Sequence, residues 1–186
     1  MDKKKLRRAI HSMLVAIEGE PLRQPLLETP LRAQRGFEEM LSGYDVDIPS
    51  LFKVFDGEGK DQIVITRGIE TYSFCEHHVL PFFIRASVAY LPKDRVIGVS
   101  KMGRLVNAYA HRLQLQERLT EQVAKAIMDN LQPQGVGVVI VGEHLCMRAR
   151  GVKNPESEVV TSVMLGEFRE NHDLKHEVLE LLRNTR

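Results

Sequence analysis

Residues 62–74, Gln-Ile-Val-Ile-Thr-Arg-Gly-Ile-Glu-Thr-Tyr-Ser-Phe, mark the point where the chain changes period. Ile, Val, Thr and Tyr crowd this stretch, and β-branched and aromatic side chains suit a pleated, half-buried surface. It predicts a strand. Before it the period is helical. Leu6, Ile10, Met13 and Ile17 form one stripe and predict an amphipathic helix. Thr29 as N-cap and Pro30 at the first helical position predict a second helix, with Phe37 and Leu41 on one face. It stops near Ser42-Gly43, where glycine suits a left-handed cap. Residues 44–61 read as loop, with a turn at Asp56-Gly57-Glu58-Gly59.

Beyond residue 74 the pattern alternates in blocks. Phe82 to Leu91 reads as strand and Arg95 to Val99 as a short third strand. Ser100 caps a helix through about Tyr109. A longer helix runs from about Leu115 to Leu131, with Leu115, Leu119, Val123, Ile127 and Leu131 on one stripe. Val136 to Val141, Glu143 to Ala149 and Glu158 to Leu165 read as strands, and Asp173 to Leu182 as a final helix. Strands, two helices, then strands predict an α+β fold: an antiparallel sheet with two helices on one face. Residues 1–61 read as an N-terminal helical extension and 62–186 as the α+β domain.

Composition narrows the function classes. Lys and Arg number 26 against 25 Asp and Glu, a net charge of +1 over 186 residues. No basic stripe with interleaved aromatics offers itself to nucleic acid. No apolar run reaches the roughly 18 residues of a membrane helix. The basic start, Met1-Asp-Lys-Lys-Lys-Leu-Arg-Arg, resembles a signal n-region in charge, but His11 and Ser12 interrupt the apolar stretch after it. Two widely spaced cysteines are too few for a secreted disulfide scaffold. The expectation is a cytoplasmic protein with reduced thiols.

Four clusters carry chemistry. Cys75-Glu76-His77-His78 follows a strand, and Cys75 and His78 have a spacing that closes on one metal ion. In Glu143-His-Leu-Cys-Met-Arg-Ala-Arg150, strand alternation would put His144, Cys146, Arg148 and Arg150 on one face. Together Cys75, His78 and Cys146 make a soft donor set suited to Zn2+, with a fourth position left for water. His77 and His144 then stand beside it as proton carriers. The same residues also allow two inert buried cysteines, a disulfide, or a closed structural zinc with His77 or His144 as fourth ligand. Ser100, Lys101 and Arg104 at a helix start suit an anion such as phosphate, or are an ordinary capped helix with solvated charges. No Walker A loop is present, since Gly57-Glu58-Gly59-Lys60 lacks the spacing. Glu117 could accept from the adjacent N–H donors of guanine, or simply complement a helix N-terminus. His172 and His176, four apart, lack the acidic residue of a metalloprotease pattern and read as surface histidines.

These segments together resemble the GTP cyclohydrolase I family. The likeness is carried by Ser73-Phe-Cys-Glu-His-His-Val-Leu-Pro-Phe-Phe83, Gly98-Val-Ser-Lys101, Arg112-Leu-Gln-Leu-Gln-Glu-Arg-Leu-Thr120, His144-Leu-Cys-Met147, Arg150-Gly-Val152 and Thr161-Ser162. It continues more weakly through Glu28-Thr-Pro-Leu-Arg32 and Leu41-Ser-Gly-Tyr44. The resemblance implies a tunnelling fold and conversion of GTP and water to 7,8-dihydroneopterin triphosphate and formate. It implies a homodecamer of two stacked five-membered rings, with active sites between subunits. Zinc would sit on Cys75, His78 and Cys146, with attack at guanine C8. His144 matches the proton-transfer histidine, His77 a supporting one, and Ser100 a residue of the sugar stage or phosphate contact. Gln116 and Glu117 match the guanine-binding pair. Lys101, Arg104 and Arg150 match triphosphate contacts, and Arg32 a further one reaching from a neighbouring subunit. Met102-Gly103 and His111 depart from the family's commoner residues. Two rivals remain: a related tunnelling-fold enzyme acting on a pterin through a zinc of several histidines, and an inactive zinc-stabilised module that only binds GTP.

Overall fold

The Leu6–Ile17 stripe folds as α1 (Lys3–Glu18) in the computed structural model, which describes residues 1–57 and 62–183. The Asp2 side chain caps it by accepting from the Lys5 N–H at 3.0 Å, and Ile10 is the buried point of the stripe. The second helix, α2 (Thr29–Met40), starts one residue earlier than expected. Glu28 rather than Thr29 holds the N-cap position, and Pro30 lies in the first turn, where its missing N–H is no loss. Lys3 of α1 pairs with Glu38 of α2 at 2.9 Å. These helices make up one unit, Met1–Ser42; the second unit begins at Gly43.

Residues 43–57 therefore go with the sheet. Gly43 is not a left-handed cap; it donates its N–H to the His111 carbonyl, and a Cβ there would lie 2.3 Å from the Ala108 carbonyl oxygen. The glycine is required by close approach of two backbones. Short helical turns at Ser42–Asp45 and Pro49–Leu51 lead into β1 (Val54–Asp56). The turn expected at Asp56–Gly59 lies, from Glu58 on, outside the described residues.

The rest of the second unit is β2 (Val64–Cys75), β3 (Leu80–Leu91), β4 (Arg95–Ile97), α3 (Val99–Ala110), β5 (Leu113–Gln114), α4 (Gln116–Leu131), β6 (Gly135–His144), α5 (Leu145–Arg148), β7 (Val159–Gly166), α6 (Glu167–Glu170) and α7 (His172–Arg183). The main sheet has the order β5-β2-β3-β6-β7, antiparallel except for the two-residue β5, which runs parallel to β2. β1 and β4 form a separate ribbon. The strand–strand–helix–helix–strand–strand order is the one expected.

Alternation along β3 decides the layers. Phe82, Ile84, Ala86, Val88 and Tyr90 join Val136, Val138 and Ile140 of β6 in one core with Leu105, Leu119, Val123 and Ile127 of α3 and α4. Ala89 and Leu91 point the other way, into a smaller cluster with Phe168, Val178 and Leu182. Thus α3 and α4 cover one face of the sheet, and α6 and α7 close part of the other. His172 and His176 are exposed on α7, as expected.

Two boundaries differ from the sequence reading. Gly98, not Ser100, holds the N-cap position of α3, with no side-chain cap; Ser100 is exposed within the first turn. The strand expected over Glu143–Ala149 does not form. β6 is one strand ending at His144, and Leu145–Arg148 is a helical turn. His144, Cys146, Arg148 and Arg150 therefore do not share a strand face. Arg148 instead folds back to pair with Glu143 at 2.5 Å.

Candidate metal centre and active site

One end of the sheet gathers the candidate metal ligands and His144. β2 ends at Cys75, and a four-residue turn leads into β3 at Leu80. The turn is tight: His78 and Val79 both donate backbone N–H groups to the Cys75 carbonyl. Val79 adopts φ 53°, a conformation a β-branched residue rarely takes. This brings the Cys75 Sγ and His78 Nδ1 to 3.6 Å. Across β3, Phe82 stands opposite His144, the last residue of β6. The helical turn after it returns Cys146, so that ligand atoms of Cys75, His78 and Cys146 all lie within 4.8 Å of one another.

The donor set fits a tetrahedral zinc. Bonds of about 2.3 Å to sulfur and 2.0–2.1 Å to nitrogen put neighbouring ligand atoms roughly 3.5–3.8 Å apart. The 3.6 Å between Cys75 and His78 is such an edge. The three residues could therefore hold a zinc ion. Both cysteines are free thiols. Burial and the neighbouring Cys75 push the Cys146 thiol up, while Arg150 acts to lower it. Metal binding by such a pair displaces protons.

His144 is held on two sides. Its ring stacks on Phe82 at 4.3 Å with planes 7° apart. Its Nε2 lies 2.8 Å from Gln116 Oε1. Burial lowers its pKa, and Glu117 nearby works in the opposite direction. Glu117 itself is exposed in the first turn of α4, while Gln116 beside it is only 1% exposed. The Gln116 amide nitrogen donates among Ile140 O (3.0 Å), Val159 O (2.8 Å) and Thr161 Oγ1 (3.2 Å). Its side chain is fully engaged inside the protein.

His77 is exposed, its ring 6.2 Å from that of His78. Arg150 is exposed beyond α5. Ser100, Lys101 and Arg104 are not brought to this end. β2 and β3 pair Val64 with Tyr90 at one end and Cys75 with Leu80 at the other. The start of α3 belongs to the Tyr90 end, where the Ile97 N–H donates to the Tyr90 hydroxyl. Its last turn reaches the Cys75 end, where Arg112 O accepts from Phe74 N–H. Ten helical residues, about 15 Å, separate Ser100 from that end. Arg32 lies in the first unit, exposed on α2 and paired with Glu28.

Behind the metal turn lies a clamp built from Glu76 and Arg118, to which the sequence motifs assign no role. Arg118, in the first turns of α4, donates to Glu76, to the Leu113 carbonyl and to Gln114 Oε1. Glu76 donates its backbone N–H to the Gln114 carbonyl. The Arg118 guanidinium hydrogen-bonded to it holds the Glu76 carboxyl below the usual carboxylate range. A sequence signal exists only in hindsight, as an acidic residue beside a ligand and a distant Arg. Arg118→Ala should loosen the Cys75–His78 turn and weaken zinc affinity about tenfold. Competition against a chromogenic chelator measures this; unchanged affinity would mean the turn holds itself.

Comparison with known proteins agrees over the whole chain. The model of the GTP cyclohydrolase I family matches residues 6–183. A protein named GTP cyclohydrolase 1 from Caldanaerobacter subterraneus subsp. tengcongensis is 46% identical over 187 residues, covering 100% of both chains. Another of that name from Coxiella burnetii is 46% identical over 176 residues, covering 94% of this chain and 95% of its own. Among solved structures, an archaeosine synthase QueF-like protein in the apo form matches 59% of this chain and 97% of its own at 20% identity, with a TM-score of 0.46.

Proposed function

The chain belongs to the GTP cyclohydrolase I family, and we propose that it is a zinc-dependent enzyme hydrolysing GTP to 7,8-dihydroneopterin triphosphate and formate. The observation that carries the zinc reading is the Cys75–His78–Cys146 group beside His144. When bound there, zinc supplies Lewis acidity that makes a water nucleophilic near neutral pH. The chain's own residues do the rest. His144, half-buried and fixed by two contacts, moves protons during attack at guanine C8 and ring opening. His77, exposed next to the ligand His78, supports that transfer. Glu117 accepts from the N1–H and 2-amino group of guanine; its influence on His144 supports a base bound within reach of that ring. Arg150, near enough to act on Cys146, faces the phosphates.

Ser100, Lys101 and Arg104 contact the triphosphate and sugar from a second copy of the chain. Their placement at the start of α3, toward the Tyr90 end of the sheet, supports this, because the fold of one protomer does not gather them beside its own metal group. A closed ring also gives the strands at the margins of the sheet a partner. We therefore propose the homodecamer of two five-membered rings, with Arg32 supplied by a neighbour and with a cytoplasmic location. Among the described residues no helix is long and apolar enough to cross a membrane.

Complementation tests the shared site. Cys146→Ser and Lys101→Ala chains should each be inactive alone. Unfolded and refolded together they should regain a substantial fraction of formate release, because mixed neighbours restore some complete sites. No recovery, in mixed oligomers verified by mass, would place both residue sets in one protomer's site.

A further inference from the structure

The family resemblance sets Gln116 against guanine; we infer that its side chain instead positions the imidazole of His144, leaving guanine to Glu117 and the backbone. The inference rests on the proton-transfer role proposed above for His144. The amide's orientation follows from its surroundings. Backbone carbonyls only accept hydrogen bonds. Ile140 O and Val159 O, at 3.0 and 2.8 Å, must therefore face the amide NH2 group. That leaves Oε1 for His144 Nε2 at 2.8 Å, and an amide oxygen only accepts. His144 thus carries a hydrogen on Nε2, and its Nδ1 is the nitrogen free to accept a proton.

The surroundings are built for this contact. Thr120 Oγ1 donates to the main-chain carbonyl of Gln116 at 2.7 Å and lies 2.6 Å from Thr161 Oγ1, tying α4 to β7 beside the amide. Phe82 fixes the ring plane. Gly142 is required: a Cβ there would stand 2.1 Å from Gln116 Oε1 and 3.3 Å from His144 Nε2. A side chain only 1% exposed, with both ends of its amide bonded inside the protein, is not open to a ligand.

The two assignments separate in a double-mutant cycle on zinc-loaded protein. Gln116→Met keeps the volume and removes the hydrogen bonds. It should lower kcat about 10- to 100-fold, the cost typical of losing a partner that orients a functional imidazole. GTP affinity should stay within about twofold, because the lost contact is to His144 and not to substrate. In a His144→Asn background the same change should add nothing further. A tenfold loss of GTP affinity with kcat intact, or losses that multiply, would overturn the inference.

Because Gln116→Met opens a buried polar site, Gly142→Ala gives a second test. It keeps every hydrogen-bonding group but displaces the carboxamide, and should reproduce the kcat loss at unchanged GTP affinity. A Gly142→Ala enzyme with unchanged kcat would count against the inference. Solid-state NMR on 13C,15N-histidine protein, with His144→Asn as the difference, reads the tautomer directly. The Nε2–H form is expected, and the Nδ1–H form would overturn it. This readout needs no turnover, so a chain that released no formate would sink the proposed reaction while leaving the tautomer result to stand or fall alone.

Discussion

Cys146→Ser should yield a folded protein that has lost its zinc and at least about 10³-fold of its formate release. A serine hydroxyl stays protonated near neutral pH and is a poor ligand for a soft site. The remaining Cys75 and His78, 3.6 Å apart, offer two donors where a catalytic zinc needs three. A metal's stabilisation of developing charge is worth several kcal/mol, and each 1.36 kcal/mol is about tenfold in rate. The fold should survive, because Cys146 lies at the margin of the core on a four-residue helical turn. Metal analysis alongside a formate assay checks both halves. Full activity in metal-free Cys146→Ser protein would sink the zinc mechanism.

His144→Asn should give the opposite pairing, with zinc retained and turnover lost. His144 is no member of the Cys75–His78–Cys146 group, so its removal leaves all three donors. A positioned acid–base group contributes about 10²- to 10⁴-fold, and the loss should fall in that range. Asparagine is too short to reach the Nε2 position, so Gln116 Oε1 loses that partner, but the Gln116 NH2 group keeps Ile140 O and Val159 O and the fold is expected to hold. Single-turnover formate release at saturating GTP measures the step. Unchanged turnover would remove His144 from proton transfer.

The contrast between these variants shows what could be read from sequence. β2 and β3 were legible because Ile, Val and aromatic residues alternate over long spans. α4 was legible because one stripe of five apolar residues repeats at helical spacing. The segment 143–149 misled for a physical reason. His144, Cys146 and Arg148 alternate with Leu145 and Met147 as a half-buried strand would. Here the polar positions are set by ligand and pairing needs, and the backbone coils into a turn that returns Cys146 toward Cys75. Ser100 has the side chain of a cap, but α3 starts from Gly98, leaving Ser100 exposed.

The metal ligands could be named because Cys75, His78 and Cys146 make a soft donor set and fall within motifs that match the family; the spacing alone also allowed inert or paired cysteines. The work of Gln116 could not. A glutamine beside a carboxylate suggests a base reader, and only the three-dimensional neighbours, Ile140 O, Val159 O and His144, show its amide engaged. Nor does sequence order show that Ser100, Lys101 and Arg104 lie at the other end of the sheet from the thiols; that needs the strand register. The same geometry turns a list of matched residues into a claim about subunits.

The most direct measurement incubates purified, metal-analysed protein with GTP and follows formate together with the fluorescent neopterin formed on oxidation, with and without chelator. The account predicts both products, both lost on chelation and restored by added zinc. A zinc-loaded protein that binds GTP and releases neither product would contradict it.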